Sequence, residues 1–77
     1  MVELKLTDGD PEHVYFIFIN DDLTVKDLID KLKKRINLNN PTLLYKGEPL
    51  DPNTVISTLN LKNLQKIVFN DKYNGGK

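Results

Sequence analysis

Only one stretch of this chain reads as a helix long enough to pack against anything. Val25, Leu28, Ile29, Leu32 and Ile36 recur at helical spacing and fall on one face. Thr24 with Asp27 makes a capping box in which Asp stands in for the usual Glu or Gln, and Asp21 and Asp22 add negative charge before the first turn. Lys31, Lys33, Lys34 and Arg35 gather at the other end, where the dipole favours cations, and Asn39-Asn40-Pro41 ends the segment. A single helix can cover only one face of a sheet. The architecture to expect is therefore two layers, with one helix across a sheet.

The remaining apolar patterning is strand-like. Val2, Leu4 and Leu6 alternate with Glu3 and Lys5, then Asp8-Gly9-Asp10-Pro11 gives a dense turn signal. Val14 to Ile19 (VYFIFI) answers it as the second arm of a hairpin. Tyr15, Ile17 and Ile19 should face the core, which leaves Val14, Phe16 and Phe18 on the other side. Residues 42–61 (TLLYKGEPLDPNTVISTLNL) read as strand, tight turn at Lys46-Gly47, short strand, loop and one helical turn capped by Thr54. Leu43, Tyr45, Leu50, Ile56, Leu59 and Leu61 supply the core from this half, and Leu61 and Leu64 should close its underside. Ile67 and Phe69 alternate with Lys66, Val68 and Asn70 as a last strand. Fraying is expected from Asp71 on, so the predicted division is a domain over residues 1–71 and a flexible tail over 72–77.

Composition removes several function classes. The chain has 77 residues and no cysteine, so one domain is expected, without disulfides, thiolate nucleophile or cysteine-based zinc site. Eleven basic and eleven acidic residues cancel, which argues against a nucleic-acid partner. A charged helix end is the plainer account of Lys31, Lys33, Lys34 and Arg35. No apolar run approaches the roughly 20 residues that span a bilayer, so no membrane role is expected. Residues 1–10 resemble neither a signal nor a transit peptide, and a cytoplasmic or nuclear location is the expectation. His13 is the only histidine and reads as a solvated loop residue. Asp8, Asp10, Asp21 and Asp22 lack the spacing of a calcium loop and read as turn and cap residues. No metal, cofactor or intrinsic catalysis is expected.

Leu43-Leu44-Tyr45-Lys46-Gly47-Glu48-Pro49-Leu50, followed by Thr54-Val55-Ile56-Ser57-Thr58-Leu59-Asn60-Leu61, resembles the corresponding half of ubiquitin and ubiquitin-like proteins. Gly75-Gly76 stands at the matching distance after the last strand. The resemblance covers nearly the whole chain and implies an α+β β-grasp fold with four to five strands in a mixed sheet. It also implies a protein modifier, conjugated through the Gly76 carboxylate to amines of target proteins by activating and conjugating enzymes. The absence of Cβ atoms at Gly75 and Gly76 suits a tail that threads narrow clefts. Lys77 follows Gly76, so a processing protease would have to cleave between them. The alternatives are a non-conjugated interaction domain of a larger protein, a β-grasp sulfur carrier, or a diglycine that is simply a flexible end.

The resemblance further implies an apolar partner-binding patch for ubiquitin-type receptor domains, mapped here to Leu44, Val68, Asn70 and Gly47. Asn70 departs from the usual apolar residue. Glu48 and Asn63 occupy positions where chain-forming lysines are common, leaving Lys31, Lys46, Lys62 and Lys66 as candidate acceptors. Lys72, Tyr73 and Asn74 replace a run rich in arginine and are candidate tail-recognition residues. Val14, Phe16 and Phe18 have two readings: a second partner or self-association surface, or side chains covered by Lys5 and Glu3.

Overall fold

The computed structural model describes residues 1–71. The chain runs through β1 (Val2–Thr7), β2 (Val14–Ile19), α1 (Val25–Arg35), β3 (Pro41–Tyr45), β4 (Glu48–Pro49), a 3-10 turn (Ile56–Leu59) and β5 (Gln65–Asp71). The five strands form one mixed sheet in the order β2-β1-β5-β3-β4. β1 and β5 are parallel at its centre, with Leu6 opposite Ile67, and the other pairings are antiparallel. This is the β-grasp arrangement: one helix packed across one face of the sheet.

The core follows the strand alternation. Leu4 and Leu6 from β1, Ile17 and Ile19 from β2, Leu43 from β3 and Ile67 and Phe69 from β5 are buried on the helix side. Val25, Leu28 and Leu32 of α1 press down on them, Ile56 closes one end, and Tyr15 and Phe69 meet as a tilted ring pair at 6.2 Å. The helix start is built as the sequence indicates: the Thr24 hydroxyl accepts from the Asp27 N–H at 3.3 Å, and Asp27 returns a carboxylate to the Thr24 N–H at 2.9 Å. Those backbone and hydroxyl hydrogen bonds from Thr24 hold the Asp27 carboxyl below its ordinary pKa.

Several local expectations need correction. The helix ends at Arg35, well before Asn39-Asn40-Pro41, because Ile36 turns extended while its N–H still reaches the Leu32 carbonyl. Thr54 does not cap the second helical turn; Val55 holds that position without a side-chain bond, and the Thr54 carbonyl instead accepts from Val25 N–H at 2.9 Å. Leu64 does not close the underside. It is 54% exposed at φ +64°, a left-handed turn in which its N–H bonds the Glu3 carbonyl at 2.6 Å. Asp71 does not begin a frayed segment: its carboxylate accepts from Asn39 N–H at 2.9 Å and Asn40 N–H at 2.7 Å.

Replacing Thr24 with Ala removes both hydroxyl bonds of the box and should lower unfolding free energy by about 1 kcal/mol. The depressed pKa of Asp27 sets its pH signature: its contribution is present above the unfolded carboxyl pKa and is lost as pH falls through the lower folded value. Urea unfolding of both proteins at neutral and acid pH checks this, with the gap between them narrowing in acid.

Candidate functional site: the free edge of β2

The sheet has two edge strands, and they differ sharply. β4 is two residues long and contains Pro49, both devices that blunt an edge. β2 is six residues long with no charge and no proline. Its polarity can be worked out from the backbone. The Glu3 carbonyl and N–H are both engaged by residues 63–64, on the β5 side of β1. Alternate residues of a strand turn their N–H and C=O to opposite edges, so Val2, Leu4 and Leu6 bond to β2 through Ile19, Ile17 and Tyr15. Val14, Phe16 and Phe18 therefore turn their backbone groups outward.

Their side chains are also unshielded. Phe16 is 47% and Phe18 59% exposed, although Lys5 and Glu3 stand directly opposite them in β1. The covered reading of these rings is thus set aside: adjacency on the sheet does not lay an alkyl stem over an aromatic face. A groove of about 300 Å3 runs between this edge and α1, lined by Phe16, Ile17, Phe18, Lys31, Lys34 and Arg35. The three basic residues come from one helix face because they are spaced i, i+3, i+4. Sequence reasoning read Lys31 only as an acceptor and missed Lys34 and Arg35 as groove residues. That spacing was the available signal.

The outer sheet face carries the other expected patch. Leu44 pairs with Val68 across β3 and β5, both half-buried, while Asn70 pairs with Thr42 and Gly47 lies in the adjoining turn. Gly47 is at φ +81° and Lys46 at +54°, the two positive angles of a two-residue hairpin turn. The register joins the two expected surfaces into one row across the sheet: Val14, Thr7, Val68, Leu44 and Pro49 are successive cross-strand neighbours. Lys31, Lys46, Lys62 and Lys66 are all exposed. Lys72, Tyr73, Asn74, Gly75, Gly76 and Lys77 lie outside the described residues.

Two further features lie away from this edge. His13 is exposed but not simply solvated: its Nδ1 stands 2.8 Å from Asp8 Oδ2. That hydrogen bond raises the His13 pKa, while the Asp10 N–H, then His13, lower that of Asp8. A hollow of about 260 Å3 at the opposite end is lined by Val2, Asp21, Ile56, Ser57, Asn60 and Leu61, with the Met1 amine 3.9 Å from Asp21.

A five-stranded mixed sheet grasping one helix defines a ubiquitin-like protein. More narrowly, the family described as "Ubiquitin-2 like Rad60 SUMO-like" matches residues 2–69, and the chain belongs to it. No curated protein matches the chain closely enough to count as a relative. Among solved structures, Caldiarchaeum subterraneum ubiquitin superposes with a TM-score of 0.86 at 19% identity, covering 97% of this chain and 98% of that one. A structure described as molecular mimicry of SUMO that promotes DNA repair gives 0.76 at 26%, covering 90% and 89%. ATBAG1 in complex with HSP70 gives 0.86 at 17%, covering 96% of this chain, which spans 42% of the length of that one.

Because Phe16 and Phe18 pack against little, Phe16→Ala and Phe18→Ala should each change stability by less than about 0.5 kcal/mol. Phe69→Ala, at a site only 2% exposed, should cost about 3–5 kcal/mol. Thermal or urea unfolding of the three variants distinguishes surface rings from core rings.

The histidine pair makes a second prediction. In a proton-NMR titration His13 should titrate above the ordinary value near 6.5, and Asp8→Asn should return it toward that value. A raised folded pKa means that the stabilisation is fully present below about 6.5 and is lost as pH rises through the folded value. A His13 that titrates identically in both proteins would contradict the pairing.

Proposed function

We propose that the chain is a SUMO-like recognition handle without chemistry of its own, joined to target amines through the Gly76 carboxylate and read by partners along the free edge of β2. The observation that carries the reading is the edge itself: an uncharged strand with two exposed phenylalanines beside a basic groove. An extended partner segment would add there as a sixth strand. Its backbone would pair with the outward N–H and C=O groups of Val14, Phe16 and Phe18, which gives affinity. Its apolar side chains would cover the exposed rings, and its acidic groups would meet Lys31 and Lys34.

The attachment half rests on Gly75-Gly76 and on the likeness to ubiquitin and SUMO-like proteins. A protease would hydrolyse the Gly76–Lys77 bond. Separate enzymes would then activate the freed carboxylate and transfer it to an amine, so the domain supplies the acyl group and the recognition surface. The non-conjugated reading keeps the same surface within a longer protein.

Each half has its own test. For recognition, Phe16→Asp should weaken binding of an extended apolar peptide at least about ten-fold by calorimetry, since it places a charge against the apolar occupant. Leu44→Asp, on the far half of the outer face, should leave that binding within about two-fold; the reverse pattern would move the site. For attachment, the intact mass of the cellular protein should correspond to residues 1–76, free and added to target proteins, and Gly76→Ala should abolish the adducts. Protein that keeps Lys77 and forms no adduct would overturn conjugation and leave the recognition half standing.

A further inference from the structure

The outward edge of β2 is already engaged at its midpoint. Arg35, the last residue of α1, reaches across the groove and donates from Nη1 to the Phe16 carbonyl at 3.2 Å. That carbonyl is the central one of the three that β2 turns outward, between Val14 and Phe18. Lys31, Lys34 and Arg35 form no ion pair among the described residues, even though Asp30 lies one turn before Lys34. The groove is therefore a basic surface with one of its cations parked on the strand edge.

We infer that Arg35 is a latch on the β2 edge, opened by strands that carry carboxylates; the inference rests on the strand-addition reading above. A strand pairing with β2 needs the Phe16 carbonyl for its own N–H. An apolar strand without an acid must break the Arg35 bond and leave the guanidinium without a partner beside a newly desolvated interface. A strand with Asp or Glu flanking its apolar residues offers that guanidinium a carboxylate, to which it can bond in a planar, bidentate fork. The carbonyl is then released to the ladder. The occupant this selects is an extended apolar segment flanked by carboxylates.

Charge separates this occupant from a second copy of the chain. β2 carries no charge of its own, so a copy paired edge to edge would bring no carboxylate for Arg35. It would also set two basic helix ends side by side, and like charges held across an interface oppose association. The latch accordingly protects the one long, unblunted edge of the sheet from pairing with itself.

The test uses the whole chain, Arg35→Ala and Arg35→Lys, with two synthetic peptides that share four Val/Ile residues. One peptide is flanked by Asp and Glu and the other by Ser and Gln. In the free protein, the carbon-13 shift of the Phe16 carbonyl should change in Arg35→Ala; an unchanged shift overturns the latch. In titrations followed by amide shifts of β2, the wild type should prefer the acidic peptide by about ten-fold or more. Arg35→Ala should bind the neutral peptide about five-fold more tightly and the acidic one about three-fold more weakly, and Arg35→Lys should fall between. If both peptides perturb β2 and the preference is the same in all three proteins, the latch is wrong and strand addition stands. If neither peptide perturbs β2 in any protein, strand addition falls and the latch with it.

Discussion

The parallel ladder between β1 and β5 decides most of the molecule's layout. Leu6 and Ile67, both fully buried, face each other at its centre, and they come from opposite ends of the described chain. A parallel pair cannot be closed by a tight turn, so the whole intervening segment must serve as the crossover. The helix lies within that crossover and covers one face. With the two central places taken by β1 and β5, β2 is forced to one edge and β4 to the other.

That placement produces an asymmetric molecule. β4 ends its side of the sheet with two residues and a proline, a poor template for pairing. β2 ends the other side with six apolar or aromatic residues whose outward backbone groups alternate along the edge. Leaving such an edge open is costly in aggregation risk. In the proposed account the groove beside it, with Arg35 over the Phe16 carbonyl, is what makes the edge usable for recognition and poor for self-pairing.

Much of the fold is legible in the sequence because its signals are local. Alternation in β1 and β5 marks Leu4, Leu6, Ile67 and Phe69 as core, and the Thr24–Asp27 spacing marks the helix start. The misreadings come from non-local causes. Leu64 is apolar and next to a strand, yet it is spent on a left-handed turn that delivers its N–H to Glu3, at the far end of the described chain. Asp71 reads as the start of a polar tail, while its carboxylate caps N–H groups 31 and 32 residues earlier. The site divides in the same way. That Phe16 and Phe18 lack a place in the core is readable from alternation alone. That they share a groove with Lys34 and Arg35, and that Val14 and Leu44 belong to one row, depends on the sheet register.

The central claim is that β2 presents a free, alternating backbone edge to an extended partner. Amide hydrogen exchange read residue by residue tests it most directly. In the free protein Tyr15, Ile17 and Ile19 should be protected, while Val14, Phe16 and Phe18 exchange near the rate of unstructured chain. Adding an acidic, apolar peptide should protect Val14, Phe16 and Phe18 and leave the other three unchanged. Uniform protection along β2 before the peptide is added, or peptide binding that leaves Val14, Phe16 and Phe18 exchanging as before, would contradict the account.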